Sequence, residues 1–209
     1  MSKEKGFTLI ELIVVLALIA ILAVILIAAL KPQEIFKKAR DAQRQADLRN
    51  LSTALDAIFA ETIQGTPPLD GATNSRCVGI AASPFIWYSV VVSGTFTATS
   101  PIQGSVVTWT RTGSTSNAVN GTGWLPIDFT KYPVIALSQL PLDPINSLSN
   151  NLYYTYSCYS GSAGTHYEFN ARLESSQAGA TDGGDNPSLY ERGSTLNILP
   201  PATTTGFYQ

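Results

Sequence analysis

Glu11 is the residue that most needs a chemical reason. It lies within residues 7–30, an apolar stretch interrupted only by Thr8 and Glu11. A carboxylate inside a membrane-length helix costs about 2.5–3.5 kcal/mol on insertion scales, so a partner is expected for it. It stands at the fifth position after Gly6, in the run Lys5-Gly6-Phe7-Thr8-Leu9-Ile10-Glu11-Leu12. Four other sets invite chemistry. His166, the chain's one histidine, alternates with Glu168, Asn170 and Arg172 on the polar face of an expected strand, which reads as a surface histidine ahead of a catalytic one. Asp182-Gly183-Gly184-Asp185-Asn186 offers oxygen ligands on a flexible loop, with Asp182 and Asp185 as candidate calcium ligands. That loop lacks EF-hand spacing, and Asp-Gly and Asn-Pro are also plain turn formers. Tyr153, Tyr154, Tyr156 and Tyr159 fall on both faces of a strand, which favours core and interface packing over a stacked binding surface. Cys77 and Cys158 form no CxxC and no Cys/His cluster, against a zinc or haem site. In an exported chain they read as one disulfide, with two buried thiols as the alternative.

The elements that must position these residues divide sharply. Residues 7–30 give 24 positions, about 36 Å of helix, against a hydrocarbon core of about 30 Å. A secretory signal would be shorter and end at a small-x-small site; here the apolar run flows into a charged helix, so the segment is expected to be retained. Lys3 and Lys5 precede it while Lys31, Lys37, Lys38 and Arg40 follow, so the charge rule alone leaves orientation open. The net charge is −2 with no basic block, which makes nucleic acid an unlikely partner.

The run from Lys5 to Leu12 closely resembles the prepilin signal of type IV pilins and type II secretion pseudopilins. A short basic leader ends in Gly6, Phe7 opens an apolar helix, and Glu11 holds the one carboxylate within it. The resemblance implies cleavage between Gly6 and Phe7 by a membrane prepilin peptidase and N-methylation of the new Phe7 amine. It also implies pairing of Glu11 with the Phe7 amine of a neighbouring subunit during assembly. Leu140-Pro141-Leu142-Asp143-Pro144 looks, more loosely, like a segment common in bacterial pilins and major pseudopilins. The latter carry a calcium-binding loop near the C-terminus, of which Asp182 and Asp185 are the candidate counterpart.

From residue 33 to 64 the helical pattern continues. Glu34 with Lys38 and Lys37 with Asp41 are spaced for i,i+4 pairs. The expected inward positions are Ala39, Ala42 and Ala46, then Leu48, Leu51, Leu55, Ile58 and Phe59. Pro32 removes one hydrogen bond and predicts a kink, either at the membrane exit or, as in the resembling family, as a site of unwinding in the fibre. Gly65-Thr66-Pro67-Pro68 ends the helix. Beyond it, strands are expected over 85–92, 105–111, 152–159 and 166–173, with loops at 93–104 and 113–123. The expected fold is α+β: a long N-terminal helix, membrane span plus spine, packed on a small antiparallel sheet, the pilin lollipop that the resemblance also implies. The expected segments are a leader at 1–6, a transmembrane and assembly helix at 7–30, an amphipathic helix at 31–64 and a β-rich head at 65–209.

No Gly-x-Ser-x-Gly, phosphate loop, metal cluster or matched acid pair is visible, so no enzyme activity and no cofactor, calcium apart, are expected. The leading expectation is a structural subunit of a type IV pilus-like filament, anchored in the cytoplasmic membrane as precursor and extracellular once assembled. Its implied partners are identical subunits, the prepilin peptidase and the inner-membrane assembly machinery. A type II secretion pseudopilin is the alternative within that class; a membrane-tethered monomeric binding domain is the alternative outside it.

Overall fold

The computed structural model describes residues 6–62, 65–162, 164–175 and 182–208. The chain falls into two compact units, Met1–Ala39 and Arg40–Gln209. In the first unit, α1 (Leu9–Leu30) is followed by the opening turns of α2 (Pro32–Glu61). A single kinked helix is the expectation at Pro32; the chain instead makes two helices. Lys31 caps α1 in the left-handed region (φ 42°), and Pro32 opens α2. Proline is well suited to that place, since a first helical position has no use for its missing N–H and its φ is preset.

The second unit is built on a six-stranded sheet: β1 (Phe85–Tyr88), β2 (Ser93–Thr99), β3 (Val106–Gly113), β4 (Tyr154–Gly161), β5 (Gly164–Arg172) and β6 (Leu189–Gly193). The order is β2-β3-β1-β4-β5-β6. Only β1 with β3 is parallel; the other neighbours are antiparallel. Together with the helices this is an α+β fold of pilin-like type. Residues 93–99, expected as loop, form β2: threonines around Phe96 and Ala98 make an edge strand despite the absence of a run of large apolar residues. The β4–β5 hairpin turns where expected, and Gly164 takes the positive φ (103°) that a side chain would resist.

Alternation along the strands builds two cores. On one face, Leu48, Leu51, Leu55 and Ile58 of α2 pack with Tyr154, Tyr156, Tyr167 and Phe169. Trp124 joins them from the irregular segment between β3 and β4, its indole N–H donating to the Pro141 carbonyl at 3.0 Å. On the other face, Ile86, Tyr88, Trp109, Tyr153 and Leu189 lie under the C-terminal stretch carrying Ile198, Leu199, Phe207 and Tyr208. The Tyr153 and Tyr208 rings stack at 5.0 Å. The tyrosines at 153–159 thus serve both cores, as alternation requires.

Two further expectations need correcting. Ala39, Ala42 and Ala46 are exposed; the inward positions at that level of α2 are Asp41 and Arg44. Arg44 is fully enclosed, donating from Nε to Asp143 at 2.5 Å and from Nη1 to Asp41 at 2.8 Å, with Glu174 at 2.7 Å. Asp41 also accepts the Glu174 and Ser175 amides, both at 2.8 Å, so it is turned away from Lys37. Lys37 pairs instead with Glu34, at 3.5 Å, in place of the expected Glu34–Lys38 contact. Small residues signal close approach only when something approaches; here the loop carrying Asp143 and the strand exit carrying Glu174 approach the charged side of α2.

The second correction concerns the polar face of β5. Glu168 and Asn170 are fully buried, because the C-terminal segment roofs them. Glu168 Oε2 accepts the Ile198 and Leu199 amides at 2.6 and 2.9 Å. His166, nearer the hairpin, is half-buried with its ring 6.1 Å from that of Tyr159.

Candidate assembly site

The first turn of α1 gathers the residues singled out by type and spacing. Thr8 is the N-cap in extended conformation (φ −82°, ψ 153°). Its hydroxyl oxygen accepts the Glu11 N–H at 3.3 Å, while Glu11 Oε2 accepts the Thr8 N–H at 2.8 Å and the Thr8 hydroxyl at 2.9 Å. Two amides that a helix start leaves without partners are thereby satisfied reciprocally. By composition Thr8 is only an interruption of the apolar run; the Thr-x-x-Glu spacing ahead of that run is the signal for its role.

Gly6 and Phe7 precede the helix, and both are exposed, Phe7 at 90%. A Cβ built on Gly6 meets nothing within 4 Å, so the space around this position is open.

Beyond this turn, the Leu9–Ile27 portion of α1 is long and apolar enough to cross a membrane, and none of it is buried. Ile10, Leu12, Leu16 and Ile19 are each more than half exposed among the described residues. Such a surface is stable only in lipid or against other apolar helices.

The remaining candidates lie in the second unit. Cys77 and Cys158 are joined in a disulfide, both fully buried, across a sequence separation of 81. The bridge ties the segment ahead of β1 to the middle of β4, where the Val78 amide donates to the Cys158 carbonyl at 2.8 Å. Asp182 closes a turn: Oδ1 accepts the Gly184 amide at 3.2 Å and Oδ2 the Glu191 amide at 2.5 Å. Glu191 in turn accepts the Asn186 amide at 3.0 Å. Among the described residues no three carboxylate, histidine or cysteine groups converge as a metal would need. Each Asp182 oxygen accepts one backbone amide, which orders the turn on which the two expected calcium ligands, Asp182 and Asp185, lie. Residues 176–181, just before it, lie outside the described ones.

Residues 1–27 match the family model for the prokaryotic N-terminal methylation motif. The chain has a prepilin-type N-terminus. That is the signal shared by type IV pilins and pseudopilins, and it coincides with the capped turn, the open Gly6–Phe7 bond and the uncovered helix. Comparison with curated proteins and with solved structures returns no significant match to either. The matched residues, 1–27, lie within the Met1–Ala39 unit and end before α1 does.

Proposed function

We propose that the chain is a structural subunit of a type IV pilus-like filament, cut between Gly6 and Phe7 and polymerised through α1. The observation that carries this reading is the methylation-motif match at residues 1–27, with Glu11 set in the first turn of a helix that the chain leaves bare. Hydrolysis of the Gly6–Phe7 amide consumes one water and leaves a Gly6 carboxylate on the leader and an amine on Phe7. Transfer of a methyl group to that amine keeps it basic, so a cation remains at the helix start. A cation there is disfavoured by the helix dipole, and a nearby carboxylate offsets it. Glu11 is that carboxylate, and the same group can serve the amine of the next subunit. Bare apolar helices packed together have little to fix their axial register except such a pair. The second unit, with two packed cores and a buried disulfide, suits an exposed structural head.

Mass spectrometry of material sheared from cells is the test. A species beginning at methylated Phe7 is expected, and Gly6→Leu should leave uncut precursor in the membrane. A tethered binding domain predicts the opposite: uncut chain that stays with the membrane and sheds no filaments.

A further inference from the structure

We propose that Lys31, Lys37 and Lys38, together with Ile35 and Phe36, form a collar that binds anionic lipid headgroups on the side of the membrane where α1 emerges. The proposal rests on the reading that α1 spans a membrane. The 22 residues of α1 rise about 33 Å, close to the thickness of a hydrocarbon core. Lys31 and the first turns of α2 therefore stand at headgroup level.

Three observations make that stretch a lipid-binding surface. Ile35 and Phe36 are 53% and 64% exposed, apolar side chains beyond the end of the span. Aromatic and aliphatic groups at this depth sit in the boundary between acyl chains and headgroups. Around them are three ammonium groups against one carboxylate, Glu34. Lys37 holds Glu34 at 3.5 Å, while Lys31 and Lys38 have no anionic partner among the described residues. Long lysine stems reach along apolar surface while their charged ends seek phosphate oxygens. Finally, Lys31 sits in the left-handed region between two helices, at the C-terminal, electronegative end of α1. That break turns the chain at the membrane surface and places a cation where the helix dipole favours one.

The occupant is fixed by charge complementarity: clustered cations around an apolar pair at membrane depth match an anionic phospholipid surface. The collar also gives a reason for lysines on the far side of the span from Lys3 and Lys5, a placement that the usual charge bias of membrane proteins does not provide. Held by headgroups, the subunit is kept at one depth until it leaves the bilayer for a filament.

The test uses the full chain with Gln33→Cys. Both native cysteines are in the disulfide, so the new thiol takes a single environment-sensitive dye. The labelled protein is placed in phosphatidylcholine vesicles with or without phosphatidylglycerol, both containing a headgroup-level nitroxide lipid. Quenching is expected to be about twofold greater with phosphatidylglycerol, and to fall to the neutral-vesicle level in high salt or when Lys31, Lys37 and Lys38 are changed to Gln. Equal quenching in both vesicles, from protein that co-floats with them after alkaline extraction, overturns the collar and leaves the spanning helix intact. Failure to co-float overturns both. Unchanged quenching together with lost self-association in the Lys→Gln protein also overturns it, and assigns the lysines to a second copy of the chain.

Discussion

Thr8 and Glu11 cap one another: each uses its side chain to take up the other's backbone N–H, at 3.3 and 2.8 Å. The carboxylate expected to act between subunits thus already has an occupation within its own subunit. Only Oε2 takes part in the cap, and Oε1 makes none of these bonds. Glu11 can therefore order the first turn and still meet an amine. Thr8→Val keeps the shape of the side chain and removes its hydroxyl, so the Glu11 amide loses its acceptor. Hydrogen exchange at Leu9, Ile10 and Glu11 in detergent should quicken in that variant, while exchange in the second unit stays unchanged. Unaltered exchange at Glu11 would show that the cap is not maintained in solution.

Arg44 is the most consequential charged residue outside α1. Its burial favours the neutral form, yet hydrogen bonds and charge from Asp143, followed by Glu174 and Asp41, keep it cationic. Arg44→Met leaves those carboxylates enclosed without their counter-ion, and breaking a buried pair in this way costs about 3–5 kcal/mol. Thermal unfolding of the full chain in detergent, followed by tryptophan near-ultraviolet dichroism, should show a large fall in Tm. Restoring neutrality with Asp143→Asn in the same chain should recover part of it. A Tm within a degree or so of the parent would mean that the cluster contributes little.

Stability should depend on pH with opposite signs at the two ends. Burial pushes Glu191 up to about 7, with Asp185 and Asp182 adding to the rise, and burial likewise pushes Glu168 well above the ordinary glutamate range. Groups raised in the fold leave its stability intact at acid pH and reduce it as pH climbs from the ordinary range through about 7. Glu174 is held low by its hydrogen bonds to Arg40, so its contribution is present above the ordinary range and lost as pH falls below it. Tm should therefore fall between pH 5 and pH 8, and Glu191→Gln should flatten that decline. A Tm that rises across the same interval would contradict the assignment.

The disulfide joins residues 81 apart, a loop for which chain entropy gives at most about 4–5 kcal/mol. Replacing both Cys77 and Cys158 by Ser should lower Tm strongly, and reduction of the native protein should match the double variant. Non-reducing peptide maps of exported protein should contain the Cys77–Cys158 crosslink. Recovery of both thiols free is the contrary result.

The N-terminal features were legible because they are local. Gly6, Phe7 and Glu11 lie within six consecutive positions, and the apolar helix announces itself by length. The core stripe Leu48, Leu51, Leu55 and Ile58 was legible from helical spacing, and α+β from the order of patterns. What escaped was set at a distance. Arg44 looks like a solvated helix residue until Asp143 and Glu174, about 100 and 130 residues on, close around it. Glu168 and Asn170 read as a wet strand face because nothing near them shows that residues 198–208 will cover them. Strand β2 carries little apolar signal of its own and owes its form to its neighbour β3. The two-helix break at Lys31 is a backbone choice at one residue, which Pro32 marked only as a disturbance.

Assembly by cells making only the Glu11→Ala protein tests the filament reading most directly. Glu11 lies in the first turn of α1, in the Met1–Ala39 unit, so the cores and disulfide of Arg40–Gln209 do not depend on it. The variant should be cut after Gly6, should keep its disulfide, and should yield few or no sheared filaments by electron microscopy. Filaments in normal number and symmetry from that protein alone would contradict polymerisation through a Glu11–Phe7 pair.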